Sequence, residues 1–77
     1  MIEVQIFGGL AEVSTDGRGR REVPYPVGGT TVGRILADLG IPEAAVGIVM
    51  VNGRPGGLGT QVHDGDRVAF FAPAGGG

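Results

Sequence analysis

The chain contains no cysteine, so no disulfide can staple it and no zinc–thiolate site can form. Any sulfur it handles must be delivered by another molecule, and the absence fits a cytoplasmic protein. Lysine is missing too, since all six basic residues are arginine. The chain therefore cannot carry isopeptide branches on its own side chains, although a GC-rich coding bias would leave the same gap. The net charge of −2 gives nucleic-acid binding no electrostatic support. The first residues alternate instead of forming a basic start and an apolar block, so no signal peptide is expected. No apolar run is long enough to span a bilayer. Ser14 is the only serine and His63 the only histidine, which leaves no hydrolytic constellation to assemble.

What is present fits one small domain of 77 residues, with a stability of roughly 4–12 kcal/mol at the usual per-residue figure. Glycine fills 17 positions, where average usage gives about five, so the chain is rich in loops. Ile2 to Phe7 alternates, with Ile2, Val4 and Ile6 on one side and Glu3, Gln5 and Phe7 on the other, the period of a half-buried strand. Leu10 to Arg20 is polar and glycine-rich, and its Asp16-Gly17 is a turn signal. The stretch is expected to be a long mobile loop. Arg21 to Pro26 reads as a second strand, hairpin-paired to the first. Its two prolines cannot donate to a ladder, which predicts an edge position.

Thr30-Thr31 opens a helix, where a threonine hydroxyl can accept from a backbone N–H of the first turn. Val32, Ile35, Leu36 and Leu39 form one apolar stripe, and Gly40 suits a left-handed cap. Ile41 to Ala45 adds at most a helical turn. Gly47 to Val51 is an apolar run, Asn52-Gly53 is a strong hairpin turn signal, and Arg54 to Gly59 reads as loop or a very short strand. Val62 to Asp66 forms a tight turn, and Arg67 to Phe71 alternates as the last strand. With one striped helix and several strands, the helix must lie across one face of a mixed sheet. If the last strand pairs with the first, the two run parallel and the helix belongs to their crossover. That is an α+β fold, the β-grasp arrangement, with Ile2, Val4, Ile6, Leu36, Leu39, Val68 and Phe70 as its core.

Several candidate sites have plain structural readings. His63 beside Asp64 reads as a solvated turn residue. Asp64 and Asp66 suggest a metal site less than a turn between strands, so no metal is expected. Gly28-Gly29-Thr30-Thr31 before a helix lacks the lysine of a P-loop and reads as loop plus cap. Arg18, Arg20 and Arg21 read as a solvated basic cluster in a loop. Gly75-Gly76-Gly77 fits either a frayed end or a tail made to enter another protein's active site, since glycine has no side chain to block a narrow tunnel. From Ala72 the extended tail reaches roughly 20 Å.

The chain resembles the ubiquitin-like sulfur carriers, the MoaD/ThiS family, which includes the small subunit of molybdopterin synthase. The likeness is carried by the first strand ending Ile6-Phe7, by Thr31-Val32, Ile35-Leu36 and Leu39-Gly40, and by Val51-Asn52-Gly53. It is strongest from Asp64-Gly65-Asp66-Arg67-Val68 through Phe70-Phe71-Ala72-Pro73 to the terminal glycines. Two departures stand out: Ala72-Pro73 where the family often has Pro-Pro, and Gly75 where a serine or alanine is usual. The resemblance implies a β-grasp domain over residues 1–72 and a flexible tail over 73–77. It implies that a ubiquitin-activating-type adenylyltransferase, using ATP and Mg, adenylates the Gly77 carboxylate. A persulfide donor then converts it to a thiocarboxylate. The chain itself would bind no cofactor and would act as a non-catalytic subunit. The acceptor implied first is the large subunit of molybdopterin synthase. Carriers for thiamine thiazole, cysteine or another sulfur metabolite are alternatives, and a ubiquitin-like protein modifier is an alternative of another class. Partner contacts would fall on Gly75, Gly76 and Pro73, and on an exposed apolar patch of Phe71, Phe7 and Met50 on the open face of the sheet.

Overall fold

The computed structural model describes residues 1–7 and 19–73. Strand β1 (Ile2–Phe7) pairs antiparallel with β2 (Arg20–Val23) and parallel with the last strand, β7 (Arg67–Phe71). On its other side β7 pairs antiparallel with β4 (Ile48–Val51), which in turn pairs with β5 (Arg54–Gly56). The sheet order is β2-β1-β7-β4-β5, so β2 is an edge, as its prolines predict. β2 is shorter than the expected Arg21 to Pro26: it starts at Arg20 and stops at Val23. Pro24 ends the ladder because it has no N–H to give and disfavours continued pairing around it.

The helix α1 (Val32–Leu39) buries the expected stripe of Val32, Ile35, Leu36 and Leu39. Thr31 caps it, its hydroxyl accepting from the Arg34 N–H at 3.3 Å, and Gly40 closes it at φ 74°. One 3-10 turn, Glu43–Ala45, follows. All seven expected core residues are buried, and Ile41, Val49 and Val62 join the same cluster. Val68 and Phe70 on β7 and Ile2 and Val4 on β1 have no exposed surface. Each such aliphatic or aromatic side chain contributes about 1.5–3 kcal/mol by leaving water. A small second sheet went unread in the sequence: β3 (Thr30–Thr31) pairs with β6 (Gln61–Val62) beside the helix start. Two-residue strands have no alternation to read.

Residues 8–18 contain most of the expected loop, including Ser14, Asp16-Gly17 and Arg18, and lie outside the described residues. Arg20 and Arg21 are not loop residues but neighbours on β2. Arg20 pairs with Glu3 at 3.3 Å, while Arg21 is half-buried and opposite the inward-facing Val4. Arg20 and Arg21 thus lie on opposite faces of the strand.

The turn between β4 and β5 is clipped to the turn that leads into β7. Asn52 sits at φ 53°, its side-chain amide donates to Asp66 at 3.0 Å, and its side-chain oxygen accepts from the Arg67 N–H at 2.9 Å. Asp66 also accepts from the His63 N–H at 2.7 Å. The bond from Asn52, then that from the His63 backbone, outweigh partial desolvation and hold the Asp66 carboxyl below the ordinary aspartate value. A depressed folded value means that the stability Asp66 contributes is present above about pH 4 and fades as pH falls through the folded value. Asp66→Asn should therefore be less stable than the parent at pH 7, with the gap narrowing below about pH 4. Denaturant unfolding at pH 7 and pH 3 checks this; a gap of the same size at both pH values would contradict it.

Candidate docking face and tail exit

β7 lies in the middle of the sheet and delivers the chain to its C-terminal end. Because side chains alternate along it, Val68 and Phe70 face the helix while Arg67, Ala69 and Phe71 face the open side. The parallel register with β1 sets Phe7 beside Phe71, and the antiparallel register with β4 sets Ile48 beside Phe71 and Met50 beside Ala69. The Phe7 and Phe71 rings stack, with centroids 4.7 Å apart and planes 8° from parallel. Phe7 stays 41% exposed and Ile48 52% exposed. The expected patch of Phe71, Phe7 and Met50 is thus brought together on one face, next to the point where the last strand ends.

Ile48 belongs to the patch and was missed. The apolar run from Gly47 to Val51 does not show its faces, but once Met50 is placed on the open side, alternation places Ile48 there as well. The far end of the same face is ionic. Glu3 accepts from Gln5 at 2.7 Å and lies 3.3 Å from Arg20 and 3.1 Å from Arg67. Partial desolvation pushes its carboxyl up, but the bonds from Gln5 and Arg20 and the charges of Arg20 and Arg67 win and hold it below the ordinary glutamate value. The open face therefore runs from a charged end to an apolar end, and the tail leaves from the apolar end.

At the exit, the Gly47 N–H donates to the Phe71 carbonyl at 2.8 Å, which continues the β4–β7 pairing past Ile48. Pro73 is exposed. Gly75, Gly76 and Gly77 lie outside the described residues. The other acidic candidates already have partners: Asp64 pairs with the Met1 ammonium, and Asp66 accepts from the Asn52 side chain and the His63 N–H. His63 is exposed, its ring nitrogen 3.6 Å from Asp66. Among the described residues no group of three or more His, Asp or Glu side chains is arranged to hold a metal ion, and no helix is long and apolar enough to cross a membrane.

Comparison with known proteins adds five findings. The ThiS family model matches residues 4–77. A search of curated proteins found no match. The crystal structure of small archaeal modifier protein 1 from H. volcanii is similar to this chain, with a TM-score of 0.70 and 27% identity over 95% of this chain and 97% of that one. A second crystal structure, of SAMP1 from Haloferax volcanii, has a TM-score of 0.63 and 28% identity over 99% and 98%. The solution structure of the Haloferax volcanii HVO 2177 protein has a TM-score of 0.74 and 27% identity, covering 99% of this chain and 85% of that one.

Proposed function

This chain belongs to the ThiS family, and from that premise we propose that its working group is the carboxylate of Gly77, activated and loaded with sulfur by partner enzymes. The observation that carries the reading is that the family match extends through Gly75, Gly76 and Gly77, directly beyond a strand that ends beside an exposed apolar patch.

A carboxylate is a poor electrophile, because its charge repels nucleophiles and oxide is a poor leaving group. The family implies a ubiquitin-activating-type adenylyltransferase as partner. On that enzyme a Gly77 oxygen attacks the α-phosphorus of ATP and pyrophosphate leaves. The terminal sulfur of a persulfide then displaces AMP from the acyl carbon. A second thiol breaks the remaining S–S bond, leaving a thiocarboxylate on Gly77 and a disulfide on the donor side. The thiocarboxylate sulfur is polarizable and ionised at neutral pH, so it can attack an activated acceptor. This chain contributes the nucleophile and no base; Gly75, Gly76 and Pro73 are held by the partner. Phe70-Phe71 followed by Pro73 favours the large subunit of molybdopterin synthase as acceptor over thiamine thiazole, cysteine or another sulfur metabolite.

A second reading, a protein modifier, is favoured by the similarity to small archaeal modifier protein 1. Both readings start from the same acyl-adenylate and differ in what displaces AMP. Incubation with an adenylyltransferase, ATP and a sulfur donor, followed by intact mass, separates them. A gain equal to sulfur replacing oxygen supports the carrier; adducts on lysines of other proteins support the modifier; no ATP-dependent change sinks both.

The patch of Phe7, Phe71, Ile48 and Met50 is proposed as the adenylyltransferase-docking surface. Phe71→Asp places a charge among these side chains without entering the core. It should weaken binding about tenfold or more while the circular dichroism spectrum stays unchanged. Calorimetry showing unaltered affinity would remove the patch from the interface.

A further inference from the structure

Gly47 is the one described glycine at which an added side chain would collide with the start of the tail. A Cβ built there would lie 2.5 Å from Pro73 Cα, 2.8 Å from Pro73 N and 3.2 Å from the Ala72 carbonyl carbon. All three are backbone atoms, so no side-chain rotation relieves the clash. Carbon atoms sit comfortably at about 3.5–4.0 Å, so any larger residue must push the tail away by about 1 Å. Gly47 has no left-handed φ; the requirement for glycine comes from close approach alone. The same residue donates to the Phe71 carbonyl, so one position both pairs with the last strand residue and seats the second residue beyond it. Pro73 fixes its own φ near −65°, which makes this first stretch of the tail stiff.

We propose that Gly47 is a positioning residue: its bare Cα seats Pro73 against the start of β4 and sets the direction in which the tail leaves the domain. This rests on the reading of Gly77 as the activated group. It explains why a glycine stands at the start of an otherwise apolar strand, next to the docking patch rather than in it. A domain that docks by its open face delivers its carboxylate correctly only if the exit angle is fixed, and a misplacement of about 1 Å at a reacting centre can cost on the order of 100-fold in rate.

The test compares Gly47→Ala with Gly57→Ala, a glycine with nothing within 4 Å of the added carbon. With the full chain and an adenylyltransferase, G47A should lower kcat for sulfur loading about 10–100-fold while KM and binding affinity stay near the parent values; G57A should change neither. A purely structural role for Gly47 would show as a lowered melting temperature with kcat per folded molecule at the parent value, which overturns the proposal. If G47A does not fold, nuclear Overhauser contacts in the parent chain decide: cross-peaks between the Gly47 Hα and Pro73 protons support the seat, and their absence overturns it. G47A loading at the parent kcat, or losing only KM, overturns it as well. An arm independent of enzyme chemistry follows amide NMR signals: Phe71 and Ala72 should move in G47A while core signals such as Val4 and Val68 stay. A parent chain that takes no sulfur sinks the reading of Gly77, yet leaves this arm to decide the seat.

Discussion

A chain with one alanine added after Gly77 should take no sulfur, a loss on the order of 100-fold or more in the loading rate, with thermal unfolding unchanged. The addition converts the Gly77 carboxylate to an amide, which is no nucleophile toward ATP. It moves the new carboxylate about 3.5 Å further out and places a methyl group where the proposed tunnel takes glycine. Nothing in the folded domain should feel this, because the core rests on residues from Ile2 to Phe70. Intact mass after incubation with adenylyltransferase, ATP and sulfur donor reads the result. A capped chain that gains sulfur without first being trimmed back to Gly77 would show that the mechanism is wrong.

Adjacent residues on β7 should give opposite phenotypes. Phe70 is fully buried, and Phe70→Ala leaves a cavity at the centre of the core, costing about 3–5 kcal/mol. Against a total of roughly 4–12 kcal/mol for a chain this size, that is enough to leave a large unfolded fraction. Phe71→Ala gives up the stacking with Phe7, worth about 0.5–1.5 kcal/mol, and should stay folded while docking suffers. Denaturant titration of the two variants side by side checks the contrast. Equal stabilities would mean that β7 does not present the two rings to opposite faces.

The parts of this fold that the sequence announces are those with strict local periods. Ile2, Val4 and Ile6 repeat every second residue, and Val32, Ile35, Leu36 and Leu39 follow the helix, so strand, helix and most of the core can be read directly. Asn52-Gly53 marks its hairpin because few other pairs tolerate two consecutive left-handed residues, here at φ 53° and 78°. What was not legible depends on partners distant in sequence. Ile48 shows its face only once β4 is registered against β7. Val62 is buried although it opens a turn, because its two-residue strand pairs with Thr30. Gly47 reads only as the first residue of an apolar run until Pro73, far along the chain, is seen resting on it. The apolar face proposed for docking was therefore visible in part, through the alternation of Phe71 against Phe70, while the close approach of Gly47 to Pro73 was invisible. The chemistry proposed for Gly77 rests on the family resemblance, since three terminal glycines alone fit a frayed end equally well.

The most direct test uses the absence of cysteine. The purified chain is incubated with an adenylyltransferase, ATP and a persulfide donor, freed from both proteins, and treated briefly with iodoacetamide at neutral pH. The account predicts a single carbamidomethyl group per chain, dependent on ATP, that maps to the C-terminal peptide. A chain left unlabelled under these conditions, or labelled equally without ATP, would contradict it.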